Sequence, residues 1–277
     1  MREIMTVVYS PKTAGYPHRA AHASYTHTMI IAIASQKGGT GKTTTSITLA
    51  AGLARRGERV LVIDMDHQAN SSKVLLPHYS ELRKEDTIYV TLIERLPLQV
   101  HQSTIENLDV VPGHILLSNT DMELTAARDH REARVKRELE KIKHQYDYVV
   151  FDCPPALSWQ TINALAAADG VLVIVSPGYF ELDSIVQIHK TIAEVQEFYN
   201  PNLKLLGHLF TKSDPTNNST VSLRILRQTY ADQVLQTVIP LNTAIRDAHF
   251  NKQDVFAYNP ESKSAQAYQR LIEELFT

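Results

Sequence analysis

One stretch decides the fold of this chain: Gln36-Lys37-Gly38-Gly39-Thr40-Gly41-Lys42-Thr43-Thr44. It lies between a short apolar run, Met29–Ser35, and a segment with helical spacing from Lys42 to Arg56. Glycines let the backbone wrap closely round phosphate oxygens, and the N–H groups at the start of the following helix attract an anion. In such a turn Lys42 would hold the β- and γ-phosphates, and the Thr43 hydroxyl would ligate Mg²⁺. The strict phosphate-loop pattern G-x-x-x-x-G-K-[ST] fails only at its first position, where Gln36 stands.

Strand-like and helix-like segments alternate along the rest of the chain. Further buried strands are predicted at Arg59–Met65, Asp109–Val111, Tyr148–Asp152, Val171–Ser176 and Leu205–Thr211. Helices are predicted between them, for example at Arg131–His144 and Leu182–Phe198. This alternation predicts an α/β fold with a doubly wound, mostly parallel sheet flanked by helices. No linker rich in Gly, Pro or Ser divides the chain, so residues 29–277 are expected to form a single P-loop NTPase domain.

The composition is that of an ordinary globular protein. The chain has 277 residues, 43% apolar and 21% charged, and a formal net charge of -2. Nothing in this balance indicates a nucleic-acid or membrane protein, so any contact with DNA needs a local basic patch. Cys153 is the only cysteine, which excludes an intramolecular disulfide framework and makes a reducing, cytosolic compartment the default. No apolar run reaches the length of a membrane span.

The two ends of the chain differ in pattern. Residues 1–28 show no clear periodicity, and we expect either a dispensable N-terminal extension or an upstream start ahead of Met29. A targeting peptide is the less favoured alternative, because no apolar core follows. The last segment, Lys263–Phe276, places apolar residues on one helical stripe. Its polar face lacks the Lys/Arg enrichment of a lipid-binding helix, so we expect the stripe to pack on the core.

A second lysine, Lys37, opens the glycine-rich turn five residues before Lys42. With it, Lys37-Gly-Gly-Thr-Gly-Lys-Thr-Thr44 resembles the deviant Walker A motif of the ParA/MinD ATPase superfamily. The resemblance implies that Lys37 reaches across a dimer to the partner's nucleotide and neutralises charge on the transferred phosphate. Groups of this kind contribute roughly 10³–10⁵ in rate when properly placed. The implied nucleotide-binding residues of the turn are Lys37, Gly38, Gly39, Thr40, Gly41, Lys42, Thr43 and Thr44.

Two further predicted strands end in acids, at the edge where an open α/β sheet binds its ligands. The first continues into Asp64-Met-Asp66-His-Gln68-Ala-Asn70, which is similar to the family's D-x-D-x-Q-[GA]-N switch segment. This implies that Asp66 positions the attacking water, and that Asp64 supports either the water shell of Mg²⁺ or the loop. The second strand ends at Asp152, as in a Walker B element, and Asp152 is expected to act on Mg²⁺ through water. Turn and helix-capping roles remain the alternative for Asp64 and Asp66.

The resemblance covers nearly all of the chain after Met29, including Ser176-Pro-Gly-Tyr-Phe180 and Ser264-Ala-Gln-Ala-Tyr268. It is closer to the ParA branch than to MinD, whose members end in a basic amphipathic membrane helix. The late segments 206–214 and 239–242 correspond to family positions around the adenine. The implied base contacts are Lys212, Pro240 and Asn242.

The family's DNA-binding arginines are missing from their usual places, which are occupied here by Leu241 and Pro215-Thr216. The candidates for a substitute DNA-binding patch are Arg224, Arg227, Arg246 and Lys252. Arg224 and Arg227 would be neighbours on one helix face by their i, i+3 spacing. Each charge alone is better explained as a solvated surface charge. A dimer would double the number of phosphate contacts, so even modest patches could hold DNA.

The resemblance implies a ParA-type partition ATPase with ATP and Mg²⁺ as cofactors. Mg·ATP would close a sandwich homodimer that binds DNA without sequence preference, and a ParB-like or cargo-adaptor activator would stimulate slow hydrolysis. Such a protein is expected in the cytoplasm, on the nucleoid and without a membrane partner. The alternatives are a nucleoid-tracking positioning ATPase for a non-DNA cargo, a MinD-like membrane-cycling ATPase, and a scaffold that binds ATP without turnover. A reductase like the nitrogenase iron protein is excluded, because its cluster needs more cysteines than Cys153.

Overall fold

The computed structural model describes residues 27–127, 129–178 and 181–276, and within them the chain forms one eight-stranded sheet. The strands are β1 (Met29–Ala34), β2 (Val60–Asp64), β3 (His101–Gln102), β4 (Leu108–Val111), β5 (Tyr148–Asp152), β6 (Gly170–Val175), β7 (Lys204–Ser213) and β8 (Val234–Pro240). The α-helices are α1 (Lys42–Arg55), α2 (Asn70–Leu75), α3 (Ile88–Glu94), α4 (Thr120–Ala126), α5 (Arg134–Leu139), α6 (Trp159–Ala167), α7 (Glu181–Phe198), α8 (Asn217–Tyr230), α9 (Thr243–Phe250), α10 (Val255–Tyr258) and α11 (Lys263–Phe276).

The strand order places β1 in the interior of the sheet. The order is β3-β4-β2-β5-β1-β6-β7-β8, and every neighbouring pair is parallel except β3 with β4. In this register Asp152 of β5 stands between Ile33 of β1 and Asp64 of β2. Parallel strands all end at one edge of the sheet, so the turn after β1 and the acids of β2 and β5 meet there.

The core forms two layers because side chains alternate along each strand. On β1, Ile31 and Ile33 pack on one face with residues of α1 and α11, whereas Ile30 and Ala32 pack on the other face with residues of α3 to α8. Both faces of the central strands are therefore buried, as expected for a parallel sheet. This arrangement confirms the predicted α/β fold with its doubly wound, mostly parallel sheet.

The C-terminal helix α11 packs on the core as predicted. Ala267, Leu271 and Ile272 are fully buried in the layer that contains α1. Its approach to α1 is close, since a Cβ on Gly52 would lie 2.3 Å from Ile272 Cδ1. In the part of the chain that the structure describes, no helix is both long enough and apolar enough to traverse a bilayer.

The structure departs from the sequence prediction in two places. The single helix predicted at Arg131–His144 is wrong: α5 ends at Leu139, and a 3₁₀ turn follows at Lys143–Gln145. The chain tightens after α5 because Lys141 N and Ile142 N each bond the carbonyl three residues back. The two edge strands were not predicted: β3 has only two residues, and β8 is only partly buried and lacks a continuous apolar run. Residues 1–26 of the predicted N-terminal extension lie outside the described residues.

Candidate nucleotide-binding site

The glycine-rich turn connects β1 to α1 at the C-terminal edge of the sheet. Gly39 has φ +75° and Gly41 has φ +101°, both in the left-handed region that a residue with a Cβ rarely adopts. Gly41 precedes the first residue of α1 and supplies no side-chain cap, and the first turn of the helix has no acidic residue. The N-terminus of α1 therefore offers backbone donors and the positive end of a helix dipole to an anion.

A cleft of about 710 Å³ opens over this helix terminus. Its walls come from the glycine-rich turn, the segment after β2 with α2, Pro155 after β5, Lys212 at the end of β7, and α9 with Lys252 beyond it. The cationic side chains that line it are Lys42, Lys73, Lys212, Arg246 and Lys252, against the single acid Asp66. This excess of positive charge suits a polyphosphate.

An adjoining cleft of about 400 Å³ continues from the first toward β8. Lys212, Pro240 and Asn242, the three predicted base contacts, all line it, together with Ile239 and Tyr268. Asn242 also caps α9, since its Oδ1 accepts from Ala244 N at 2.8 Å. A polyphosphate cleft beside a mainly apolar one is the shape that a nucleoside triphosphate requires.

Lys42 is buried at the base of the first cleft, and its Nζ donates to Lys37 O at 2.9 Å. The side chain of Lys37 is exposed at the start of the turn. The two predicted catalytic lysines thus occupy different environments, since Lys42 is buried at the cleft and Lys37 is exposed to solvent. A residue that contacts a second subunit must be exposed in the single subunit, and Lys37 meets this condition.

Asp152 and Asp64 form a buried pair of carboxylates below the turn, both with no exposed surface. Burial and the charge of Asp64 raise the pKa of Asp152 to about 7, and burial also raises the pKa of Asp64. Asp152 Oδ1 accepts from Ser46 Oγ at 3.0 Å, but its Oδ2 is buried and has no hydrogen-bond partner among the described residues. The hydroxyls of Thr43 and Ser71 also act on this carboxylate and oppose the rise in its pKa. A buried carboxylate beside a second one fits a divalent cation, held directly or through water.

Asp64 differs from Asp152 because the chain itself supplies all its partners. Its Oδ2 accepts from Ser72 N at 3.0 Å and from Ser72 Oγ at 2.6 Å, and its Oδ1 accepts from Asp66 N at 3.1 Å. These bonds hold the connection between β2 and α2. Of the two roles implied for Asp64, they favour support of the loop.

Asp66 lies on the wall of the first cleft, on the segment that Asp64 holds. Its side chain is 11% exposed, and Oδ1 accepts from Gln68 N at 2.9 Å. Gln68 and Asn70 are exposed and line the same cleft. Asp66 and Thr43 of α1 therefore line the same cleft.

The four predicted DNA-binding residues do not form one patch. Arg224 and Arg227 are exposed on α8, and neither has an ion-pair partner among the described residues. Arg246 and Lys252 instead line the polyphosphate cleft on α9 and just after it. α8 packs on one face of the sheet and α9 on the other, so the two pairs lie in different layers.

Several cleft residues were not predicted as site residues from the sequence, among them Thr211, His249 and Tyr268. Thr211 and Tyr268 lie far along the chain from the turn and belong to no recognisable phosphate motif, so only the fold brings them to the site. Tyr268 OH lies 3.1 Å from Thr45 Oγ1 and joins α11 to α1. Cys153, next to Asp152, is 1% exposed within the core, and burial raises the pKa of its thiol, which suits packing and not reactivity.

The sheet, the glycine-rich turn and the acids at the strand ends together define a P-loop nucleotide-binding protein. The AAA domain family model matches residues 28–205 of the chain. The sporulation initiation inhibitor protein Soj of Bacillus subtilis is 38% identical over 249 residues, covering 89% of this chain and 97% of Soj. The chromosome partitioning protein ParA of Myxococcus xanthus is 36% identical, covering 89% of this chain and 87% of that protein. The chain belongs to the ParA/MinD family of P-loop ATPases.

Solved structures share the same architecture. A putative plasmid partition protein from Borrelia burgdorferi bound to AMPPNP has a TM-score of 0.77 and 25% identity, over 90% of this chain and 98% of that one. The septum site-determining protein MinD from Pyrococcus horikoshii, complexed with Mg-ADP, has a TM-score of 0.73 and 25% identity, over 91% and 97% of the two chains.

Proposed function

We propose that this chain is a partition ATPase that hydrolyses ATP with Mg²⁺ and uses the nucleotide to control its binding to DNA. The observation that carries this proposal is that Lys42, Asp66 and Asp152 lie at one sheet edge together with an exposed Lys37. Soj and ParA, which resemble the chain over almost its whole length, support the assignment. Hydrolysis is slow in the isolated protein and is accelerated by an activator bound to the cargo.

The roles of the site residues follow from their positions. Lys42, the N-terminus of α1 and Thr43 bind the triphosphate, and the second cleft takes the base. Asp152 holds Mg²⁺ through water, and the ion supplies charge neutralisation at the β- and γ-phosphates when bound. Asp66 orients the attacking water. Lys37 acts on the nucleotide of a second subunit, so the active species is a sandwich dimer.

DNA is held without sequence preference by Arg224 and Arg227 in this proposal. The helix that carries them, Asn217-Asn-Ser-Thr-Val-Ser-Leu-Arg-Ile-Leu-Arg-Gln-Thr-Tyr230, contains no acidic residue. Two copies in a dimer present twice the number of phosphate contacts, and affinity therefore depends steeply on dimer formation. The protein then works on the nucleoid, and hydrolysis releases it. The buried apolar face of α11 disfavours a membrane-cycling role, because that helix is already used in the core.

The test compares retention on long non-specific DNA with ATP, with ADP and without nucleotide. Wild-type protein should be retained only with ATP, and Lys42→Ala should not be retained under any condition. Equal retention of both proteins in all conditions would refute the nucleotide-controlled switch. Arg137→Gln, an exposed arginine on α5, is the matched charge control and should be retained like the wild type.

A further inference from the structure

The end of β7 contacts the glycine-rich turn through two consecutive residues. Thr211 is 2% exposed, and its Oγ1 donates to Thr40 O at 2.6 Å. The next residue, Lys212, donates from Nζ to Gly39 O. Lys212 has φ +54°, a left-handed conformation that is uncommon outside glycine. Two adjacent carbonyls of the turn are thus held by two adjacent side chains that lie more than 170 residues later in the chain.

The planar peptide bond converts these contacts into an orientation of donors. In a trans peptide the C=O of one residue and the N–H of the next point in opposite directions. A tether on Gly39 O therefore turns Thr40 N–H away from β7, and a tether on Thr40 O does the same for Gly41 N–H. Among the described residues these two N–H groups have no hydrogen-bond acceptor, and both residues line the polyphosphate cleft.

We propose that Thr211 and Lys212 are positioning residues that preset the backbone donors of the phosphate loop. The proposal rests on the proposed function only in taking a nucleotide phosphate as the ligand. Without the tethers, the turn with its glycines at 39 and 41 is flexible and becomes ordered only when the phosphate binds. The entropy lost in that ordering lowers the affinity. Of the two tethers, Thr211 contributes more to nucleotide binding. Its hydroxyl is buried, and without it Thr40 O would lose its hydrogen-bond partner.

Thr211→Val keeps the shape of the side chain and removes the donor. We expect affinity for Mg·ADP and for a non-hydrolysable ATP analogue to fall about five- to thirtyfold, the range set by one buried hydrogen bond. KM for ATP should rise by a similar factor, with a smaller change in kcat, because the chemistry is not touched. Thr211→Ser restores the hydroxyl and should bind within about twofold of the wild type.

Two controls separate positioning from stability. Thr48→Val changes an equally buried threonine on α1 whose Oγ1 has no hydrogen-bond partner among the described residues, and it should leave affinity unchanged. Lys212→Met removes the second tether at an exposed position and should also weaken binding. Lys204→Met, at the other end of β7, is its matched control and should not.

The binding titrations decide the proposal. Wild-type affinity in Thr211→Val, or an equal loss in Thr211→Ser, overturns it. If Thr211→Val fails to fold, Lys212→Met decides, and wild-type affinity in that variant overturns the proposal. The titrations measure binding alone and do not depend on hydrolysis. If the wild-type chain binds nucleotide without hydrolysing it, the proposed function is contradicted. The same variants then still test whether Thr211 and Lys212 position the loop.

Discussion

Asp64 and Asp152 stand opposite each other at the ends of two neighbouring parallel strands, and only one of them is fully satisfied by the chain. Asp64 accepts three hydrogen bonds, two of them from Ser72, whereas Asp152 Oδ2 has no partner among the described residues. Burying these two carboxylates side by side costs free energy in the nucleotide-free protein, which is why the pKa of Asp152 is raised to about 7. The same pair is suited to a divalent cation, which compensates both.

The two carboxylates should respond in opposite ways to replacement by an amide. Asp152→Asn removes one of two like charges and should raise the free energy of unfolding of the nucleotide-free protein by about 1–2 kcal/mol. Asp64→Asn turns an amide NH₂ toward the hydrogen-bond donors of Ser72 or Asp66. It should therefore lower the free energy of unfolding by about 1–3 kcal/mol. Thermal unfolding with and without Mg·ADP measures both effects, and Asp152→Asn should lose the extra stabilisation given by Mg²⁺. A lower melting temperature for Asp152→Asn without nucleotide contradicts the repulsion assigned to this pair.

Asp66→Ala should bind ATP and dimerise but release phosphate at least about 10²-fold more slowly, because the attacking water loses its orienting carboxylate. Size-exclusion chromatography with ATP should show a persistent dimer, and a phosphate-release assay gives the rate. Asp121→Ala, an acid on α4 away from the clefts, is the control. Rapid phosphate release by Asp66→Ala would remove the role assigned to this residue.

Lys37→Ala should abolish hydrolysis while the variant still binds ATP, because its ammonium acts on the other subunit's nucleotide. Mixing Lys37→Ala with Asp66→Ala provides a direct test. Half of the dimers are then mixed, and each contains one site with its own Asp66 and a partner's Lys37. About a quarter of the wild-type hydrolysis rate should return. No recovery in the mixture, with mixed dimers demonstrated by differential tagging, shows that Lys37 does not act across the dimer.

Replacing both Arg224 and Arg227 by Gln should weaken ATP-dependent DNA binding and reduce its salt dependence. Four phosphate contacts disappear from a dimer, so the slope of log affinity against log salt should fall by about 3.6. DNA affinity measured over a range of salt concentrations gives this slope, and the rate of hydrolysis without DNA should not change. An unaltered slope moves the DNA-binding surface away from α8.

A histidine pair, of which His208 is buried and His189 half-buried, predicts the pH dependence of stability. His208 on β7 has no exposed surface, and its Nε2 lies 2.8 Å from His189 Nε2 on α7, beside the ring of Tyr230. Burial lowers the pKa of His208 to about 4, so the folded chain holds it neutral. The contribution of His208 to the free energy of unfolding is fully present above the unfolded pKa of about 6.5. It is lost as the pH falls toward about 4, and it changes no further below that pH.

Denaturant unfolding at several pH values measures this effect, which amounts to at most about 1.4 kcal/mol for each pH unit in that window. His208→Gln should flatten the profile between about pH 4 and 6.5. His144→Gln, at an exposed histidine, should leave the profile unchanged. A profile in His208→Gln that matches the wild type would place the acid sensitivity elsewhere.

Local patterns in the sequence determined much of this protein. The apolar run of β1, the glycines that permit positive φ, and Lys42 and Thr43 at the start of α1 are adjacent in the chain, so their geometry follows from neighbouring residues. The acids that end β2 and β5 were also predictable, because parallel strands bring their ends to one edge. The edge strand β8 was not, since its partial burial leaves no strong pattern.

Only the tertiary structure decided how distant segments meet. The order of the strands sets Asp64 against Asp152, the end of β7 places Thr211 on Thr40, and α9 brings Arg246 to the cleft and away from α8. These contacts join residues that are far apart in the chain and depend on register, twist and side-chain packing. Local propensity carries no information on them, and the free energy of the whole fold selects them.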